Sequence, residues 1–348
     1  MIIWGKVMDK YLMISKSLKL GIVLLFMLTY FIPITAQNID KPFLPLSNVN
    51  ILYVGGSGPG NYSRIQDAID NASDGYIVFV YNGIYYENVR INKSIDLLGE
   101  NNALTIIDGQ ETGGHIVSIL AAGVTLYRFT IQNSGGIPNA AAVYVDSENN
   151  QIIESIITCT PYHGEEGIWL SQSSGNIISK NIIENHHYGI WLEDSAQNNL
   201  SNNKITNIWE WGIILGDSDN NMLYENNLAE NNGGIYFRDS NKNTICRNKL
   251  VTNFRDIALV DWDATNSNNI IVKNNIDKAT FIAAKQSHNK NIWDENYWGR
   301  PLHHPKLIRG QKEVLFFPGS PFHFPSLTLN ILWFNVDRHP AQEPYDIQ

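Results

Sequence analysis

A repeat of about 22 residues dominates the sequence and restricts the folds open to it. Similar segments begin at Gly167, Gly189, Gly212, Gly234 and Asp256, with spacings of 22, 23, 22 and 22 residues. One column of apolar residues in these segments consists of Ile168, Ile190, Ile213, Ile235 and Ile257. A unit this short and without helical periodicity predicts stacked β coils rather than helix pairs.

Further columns define the coil. A second apolar column, two residues after the first, consists of Leu170, Leu192, Leu215, Phe237 and Leu259. Because side chains alternate faces along a strand, both columns lie on one side and form a dry core. Asparagines also recur in columns, and their side chains suit bends and can bond from coil to coil. A leucine-rich repeat has a similar period, but its L-x-x-L-x-L core is absent.

We therefore predict an all-β fold, a single-stranded right-handed parallel β-helix of about nine coils over residues 76–298. Such a stack needs both ends covered, because open strand edges favour aggregation. Residues 51–75 are predicted to form the N-terminal cap, with a capping box at Ser63–Gln66 and a short helix over 63–72. The tail 299–348 holds seven of the 13 prolines and predicts an irregular C-terminal cap.

The first 36 residues resemble an export signal. Four lysines precede the apolar run 20–34, and small or polar residues follow it. This pattern predicts a signal peptide or an N-terminal membrane anchor over 1–36, followed by a linker over 37–50. We expect an extracellular or cell-surface protein that meets the membrane only through this N-terminal segment.

The net charge and the cysteine positions argue against a nucleic-acid partner and against a disulfide. The net charge of -9 argues against a nucleic-acid partner, whose phosphates require a basic surface. Cys159 and Cys246 lie four coils apart, which at the spacing of β-strands is about 19 Å. We therefore expect two free thiols rather than a disulfide.

Three stretches resemble one family. Residues 53–101, which begin YVGGSGPGNYSRIQDAID, look like the opening of secreted NosD-like right-handed β-helix proteins of archaeal surfaces. The repeated N-x-I-x-x-N-x-I followed by G-I-x-L, and the closing NIWDENYWGRP and DRHPAQEPYDI, are similar to the same group. The resemblance covers about residues 51–348. It implies a pectin-lyase-like fold, export, and a carbohydrate-binding or sugar-processing module, with one branch linked to copper delivery to nitrous oxide reductase.

Aromatic and charged residues converge on one predicted ridge. The outward position of the first strand in each coil carries Tyr144, Trp169, Trp191, Ile214 and Tyr236. The bends before these strands carry histidines, carboxylates and aromatics that include Tyr162, His163, Glu165, Glu166, Glu184, His186, His187, Tyr188, Trp209, Glu210 and Trp211. Aromatic rings stack on sugars and carboxylates accept hydroxyl hydrogen bonds. We predict a site for a polysaccharide or glycoconjugate formed by Tyr144, Trp169, Trp191, Tyr236, Glu166, Glu184, Trp209 and Trp211.

Metal binding is an alternative use of these residues. The histidines His163, His186 and His187 could ligate copper. A column of aspartates, Asp194, Asp217, Asp239 and Asp261, could hold calcium, although capping of local amides is the favoured interpretation. We otherwise expect no cofactor.

Two further functions remain open at this stage. One is a polysaccharide lyase or glycoside hydrolase on the same surface, although the paired aspartates and Gly-His-Gly segment of polygalacturonase-type β-helices are absent. The other is a NosD-like copper-handling or purely structural envelope protein. No catalytic residue can be assigned from the sequence, and solvated loop residues would produce the same pattern.

Overall fold

The computed structural model describes residues 50–135, 140–159, 164–260, 266–277, 291–316 and 327–347. Its strands fall into three sheets that run along the stack, and each coil contributes one short strand to each sheet. The eight-stranded sheet contains β4 (Val89–Ile91), β7 (Val117–Ile119), β10 (Ala141–Val145), β13 (Gly164–Ser171), β16 (His186–Glu193), β19 (Trp211–Gly216), β22 (Gly233–Arg238) and β25 (Arg255–Val260).

The other two sheets complete each coil. The nine-stranded sheet contains β3 (Gly83–Tyr85), β6 (Thr105–Asp108), β9 (Thr130–Gln132), β12 (Ile156–Thr158), β15 (Ile182–Glu184), β18 (Lys204–Thr206), β21 (Asn227–Ala229), β24 (Lys249–Val251) and β27 (Asn275–Ile276). The 13-stranded sheet contains β1 (Ile51–Val54), β2 (Ile77–Val80), β5 (Asp96–Gly99), β8 (Thr125–Tyr127), β11 (Gln151–Ile153), β14 (Ile177–Ser179), β17 (Asn199–Ser201), β20 (Met222–Tyr224), β23 (Thr244–Cys246), β26 (Ile270–Val272), β28 (Ile292–Asp294), β29 (Lys306–Phe316) and β30 (Leu327–Asp337).

The apolar columns stack as the repeat predicts. Ile168 pairs with Ile190 and Leu170 with Leu192 in parallel register. Ile190 in turn pairs with Ile213, and all five side chains are fully buried. Burial of a large aliphatic side chain contributes roughly 1.5–3 kcal/mol, so a column of such residues fixes each coil on the next. The predicted right-handed parallel β-helix of about nine coils is confirmed.

Two asparagine ladders hold neighbouring coils together. Asn198 accepts hydrogen bonds at Oδ1 from the backbone N–H and Nδ2 of Asn176, at 2.8 and 3.1 Å. Its own Nδ2 donates to the Ser173 carbonyl at 3.0 Å and to Asn221 Oδ1 at 3.1 Å. The second ladder consists of Asn181, Asn203, Asn226, Asn248, Asn274 and Asn296. The predicted bonding of asparagines from coil to coil is confirmed.

The N-terminal helix α1 (Ile65–Asn71) is capped differently from the prediction. The predicted capping box of Ser63 and Gln66 is wrong, because no side chain caps the helix from the preceding residue. The carboxylate of Glu87, 22 residues away, instead accepts from the backbone N–H groups of Ile65 at 2.8 Å and Gln66 at 3.1 Å. A buried carboxylate satisfies the free amides better than a solvated serine.

The C-terminal segment is more regular than the irregular cap that we predicted. Strands β29 and β30 form an antiparallel hairpin, and β30 joins the 13-stranded sheet beside β28. Asp337 Oδ2 accepts hydrogen bonds from Trp298 Nε1 at 2.9 Å and from the backbone N–H of Asn296 at 3.0 Å. Asp337 therefore ends the second asparagine ladder.

Other predictions divide between confirmed and untested. Cys159 is buried, Cys246 is half-buried and both are free, as expected. The leader over 1–36 and the linker as far as residue 49 lie outside the described residues. In the described part of the chain, no helix has the length and apolar character needed to cross a membrane.

Candidate functional site

The outer face of the eight-stranded sheet carries a mostly aromatic strip, which we define as Tyr144, Trp169, Trp191, Ile214 and Tyr236; the buried Ile214 separates the first three rings from the last. These residues pair in register from each strand to the next. The ring centroids of Tyr144 and Trp169 lie 5.2 Å apart, and those of Trp169 and Trp191 lie 6.1 Å apart. The four aromatic side chains are half-buried, so their rings have exposed surface.

His115 extends the strip by one ring that the sequence did not reveal. Its imidazole stacks on Tyr144 at a centroid distance of 4.2 Å and an angle of 7°. Its Nδ1 accepts a hydrogen bond from the backbone N–H of Ala141 at 3.1 Å. Burial lowers the pKa of His115 below its ordinary value, so the ring stays neutral near pH 7. The strip therefore has an apolar, uncharged end.

A buried cluster supports the other half of the strip. Tyr188 meets Trp191 edge to face at 5.3 Å, and Trp211 lies 5.1 Å from Tyr236. Trp211 is only 7% exposed and packs with Ile214 and its neighbours. The structure therefore places Trp211 beneath the surface, where it positions neighbouring side chains instead of facing solvent.

Carboxylates gather beside the Trp169–Trp191 part of the strip. Glu165 Oε2 lies 3.2 Å from His187 Nδ1. Glu166 pairs in register with Tyr188 and is only 4% exposed. Its Oε2 is buried and has no hydrogen-bond partner. Burial, reinforced by the negative charge of Glu165, raises the pKa of Glu166 to about 7.

The remaining predicted sugar-binding residues, Trp209 and Glu184, differ in exposure and lie on different faces of the stack. Trp209 is 56% exposed, and its ring lies 5.1 Å from that of His187. Glu184 belongs to β15 of the nine-stranded sheet, where it is half-buried and pairs with Thr206. Whether these residues bind sugar stays a prediction. The structure brings Trp209 to the carboxylate cluster and places Glu184 on another sheet.

The predicted histidine ligands do not meet among the described residues. His163 lies outside the described residues. His186 is 2% exposed, and neither ring nitrogen has a partner of ordinary hydrogen-bond geometry. Burial lowers its pKa to about 4, and the backbone of Ile157 offsets only part of this shift. His187 instead contacts Glu165 and Trp209 on the outside.

The aspartate column has a conformational role. Asp194, Asp217 and Asp239 have φ angles of 49°, 51° and 52°, in the left-handed region that Asp and Asn tolerate best. Asp217 Oδ2 accepts a hydrogen bond from Arg238 at 3.3 Å. The favoured amide capping is therefore not what Asp217 does, and Asp261 lies outside the described residues.

Comparison with known families agrees with this architecture. Residues 69–303 match the family described as periplasmic copper-binding protein (NosD). The chain belongs to the NosD family. In the described ranges of this NosD-family chain, no group of three or more His, Cys, Asp or Glu side chains is placed to hold a metal ion.

Curated relatives match only short parts of their own length. A cell surface glycoprotein of Methanothermus fervidus is 35% identical over 148 residues, covering 35% of this chain and 25% of the relative. Probable pectinesterase/pectinesterase inhibitor 17 of Arabidopsis thaliana is 32% identical over 101 residues, covering 26% of this chain and 20% of the relative. The chain thus spans a quarter or less of the length of either relative.

Solved structures share the fold. Tailspike protein 2 of Escherichia coli O157:H7 bacteriophage CAB120 aligns with a TM-score of 0.53 and 12% identity, covering 76% of this chain and 39% of that one. A polygalacturonase from Erwinia carotovora ssp. carotovora aligns with a TM-score of 0.51 and 9% identity, covering 75% and 87%. Identities this low establish the common fold alone.

Proposed function

We propose that this chain is an exported β-helix surface protein that binds carbohydrate on the outer face of its eight-stranded sheet. The match to a cell surface glycoprotein and membership of a family described as periplasmic support a location outside the cytoplasm. The observation that carries the binding proposal is the aromatic strip, in which Tyr144, Trp169 and Trp191 follow one another at ring distances of 5.2 and 6.1 Å.

The strip has the chemistry that sugar binding requires. A row of half-buried rings leaves apolar surface in contact with water, which is unfavourable unless a ligand covers it. Sugar rings present C–H faces that stack on aromatic side chains, while their hydroxyls donate to carboxylates such as Glu165. The coil spacing of about 4.8 Å repeats these contacts along an extended chain. A linear polysaccharide fits this surface better than a compact ligand.

The C-terminal segment leaves this face free in the described part of the chain. Its hairpin adds to the 13-stranded sheet. The residues after the hairpin bond to Asn275, Glu295 and Arg247, which lie at the last coils of the stack. These contacts favour a binding role for the strip over a role as a packing surface for the tail.

A glycan array followed by calorimetry tests the proposal. The full chain is screened, and its best ligand is titrated into the parent and into Trp169→Ala and Trp191→Ala. Loss of one stacking ring is expected to weaken binding by roughly tenfold, from about 0.5–1.5 kcal/mol of ring contact plus lost apolar area.

Tyr224→Ala is the matched control, because Tyr224 is also half-buried on the outside but belongs to the 13-stranded sheet. It is expected to bind like the parent. Absence of any glycan binding by the parent would refute the proposal. Equal loss in all three variants would place the effect outside the strip.

Cleavage of the bound polysaccharide is the second candidate function, and Glu166 is the observation that favours it. A carboxyl group whose pKa lies near 7 is about half protonated at pH 7, and in its protonated form it can donate a proton to a glycosidic oxygen. Glu165, the next residue, supplies a second carboxylate. Reducing-end release by the parent, abolished in Glu166→Gln with binding retained, would support an enzyme. Binding without release would leave a carbohydrate-binding protein.

Copper binding, which the family's description names, lacks a matching donor set among the described residues. A copper site needs several nitrogen or sulfur ligands converging on one point. His186 is enclosed in the stack and His187 bonds to Glu165 on the outside. The described residues therefore do not fit a copper centre.

A further inference from the structure

We propose that Arg255 forms an anion-binding subsite at one end of the aromatic strip, which takes a carboxylate or sulfate group carried by the glycan. This inference rests on the proposed function, since it names the chemical class of ligand for the same surface. It follows from how the Arg255 side chain is held and from what it does not contact.

Arg255 is held by aromatic rings. Its guanidinium carbon lies 5.0 Å from the ring centroid of Trp211 and 5.7 Å from that of Phe254. Contact with a ring face attracts a cation and fixes the plane of the guanidinium. Because Arg255 is half-buried, little side-chain freedom remains to be lost when an anion binds.

Gly233 makes this arrangement possible. Trp211, Gly233 and Arg255 occupy equivalent positions on three successive strands. A Cβ atom on Gly233 would overlap Cε3 of Trp211. The Trp211 ring therefore lies across Gly233 and reaches the guanidinium of Arg255, which is two coils after Trp211. Because Gly233 has no side chain, the Trp211 ring can pack against the Arg255 guanidinium.

Arg255 also lacks the carboxylate partner that comparable arginines have. Within the described ranges it makes no ion pair, and its Nε is buried without a hydrogen-bond partner. Arg128 stacks on Tyr127 at 4.8 Å in a similar way, but its Nε lies 3.0 Å from Glu154. The Arg255 guanidinium is stacked, half-buried and without an anionic partner, although the chain has a net charge of -9. It is therefore suited to bind an anion from outside the protein.

The charges along the face give it a direction. Burial, with the negative charges of Glu210, Glu166 and Glu165, raises the pKa of Tyr188, which places these carboxylates near that ring. Glu166 lies four coils from Arg255, a separation of about 19 Å along the stack. An anionic sugar is thus repelled by Glu165 and Glu210 near Tyr188 and attracted by Arg255 at the later coils. A bound chain is therefore oriented, with an acidic unit at the later coils.

Matched ligands test the subsite. The full chain is titrated with an oligogalacturonate, with its methyl ester of equal length, with a sulfated oligosaccharide and with inorganic sulfate. We expect the two anionic glycans to bind more tightly than the neutral ester, and the preference to weaken as salt is raised. Arg255→Gln is expected to weaken the anionic glycans by roughly tenfold to 100-fold while leaving the ester within about twofold.

Two variants separate the subsite from general electrostatics. Arg128→Gln removes the same charge from a stacked arginine in the bend after β8 of the 13-stranded sheet, and we expect unchanged binding of every ligand. Gly233→Ala keeps Arg255 but displaces the Trp211 ring, so it should lose the anionic preference as Arg255→Gln does. Thermal melts of each variant confirm that the fold is retained.

The outcomes distinguish this inference from the proposed function. If the parent binds the neutral ester as tightly as the acid, the Arg255 subsite is wrong and carbohydrate binding stands. Equal losses in Arg128→Gln and Arg255→Gln overturn the subsite too. If inorganic sulfate binds as tightly as the anionic glycans, the ligand of the Arg255 subsite is a free anion and not a group carried by a glycan. If neither glycan nor ester binds, both proposals fail.

Discussion

Replacement of Asn226 by alanine is expected to destabilise the stack far more than the same change at its neighbour Asn227. Asn226 is fully buried in the second ladder. Its Nδ2 donates to the Leu200 carbonyl at 2.8 Å, and its Oδ1 accepts from the backbone N–H and Nδ2 of Asn203 at 3.1 and 3.0 Å. Alanine leaves all three of these groups without their partner.

The magnitude follows from those unpaired groups. Each buried polar group left without a hydrogen bond costs about 1–3 kcal/mol, so the Asn226→Ala change is expected to cost about 3–6 kcal/mol after partial relaxation. Asn227 has the same side chain on the outside of the coil, and its Oδ1 has no partner. Asn227→Ala retains the backbone hydrogen bonds and is expected to change the free energy of unfolding by less than about 0.5 kcal/mol.

Guanidinium denaturation followed by far-ultraviolet circular dichroism measures the difference. Because stacked repeats can unfold in parts, the midpoints of the two variants are compared directly with that of the parent. Amide hydrogen exchange at Asn203 is expected to accelerate in Asn226→Ala alone. Equal midpoints for the two variants would refute the view that the ladder joins the coils.

Three further variants test buried groups. Folding raises the pKa of Glu166 from 4.5 to about 7, so its contribution to stability falls as the pH rises through that window. Glu166→Gln should therefore be about 3 kcal/mol more stable than the parent at pH 8 and equally stable at pH 4, with Glu148→Gln, a change at an exposed position, as the matched control. The pKa of His186 falls from 6.5 to about 4, so stability falls as the pH drops below 6.5, and His186→Gln should reduce that acid dependence in melts between pH 7 and 4. Glu87→Ala should cost about 1–3 kcal/mol and speed hydrogen exchange at the Ile65 amide, whereas unchanged exchange there would contradict the capping role.

The stack was predictable from the sequence because its stabilising contacts repeat. Columns at positions such as Ile168 and Ile190 are spaced by the length of a coil, so the sequence carries the register of the core. His115 was missed because the early coils are longer, with 26 residues separating Val117 from Val143. A variable coil length hides the columns from a search at a fixed period.

Contacts that occur once are the ones the sequence could not reveal. The Glu87 cap depends on a single carboxylate that meets a helix of another coil. The packing of Arg255 depends on Gly233 and Trp211, which occupy equivalent positions on successive strands. Neither residue type recurs at that position in other coils. The burial of Trp211 likewise depends on how its ring turns across Gly233.

A crystal structure of the chain with a bound oligosaccharide tests the central claim most directly. We expect sugar rings to lie over Trp169 and Trp191, with the chain running along the stack towards Tyr236. Density for the sugar on another face, with the strip covered by protein, would contradict the assignment of this surface as the binding site.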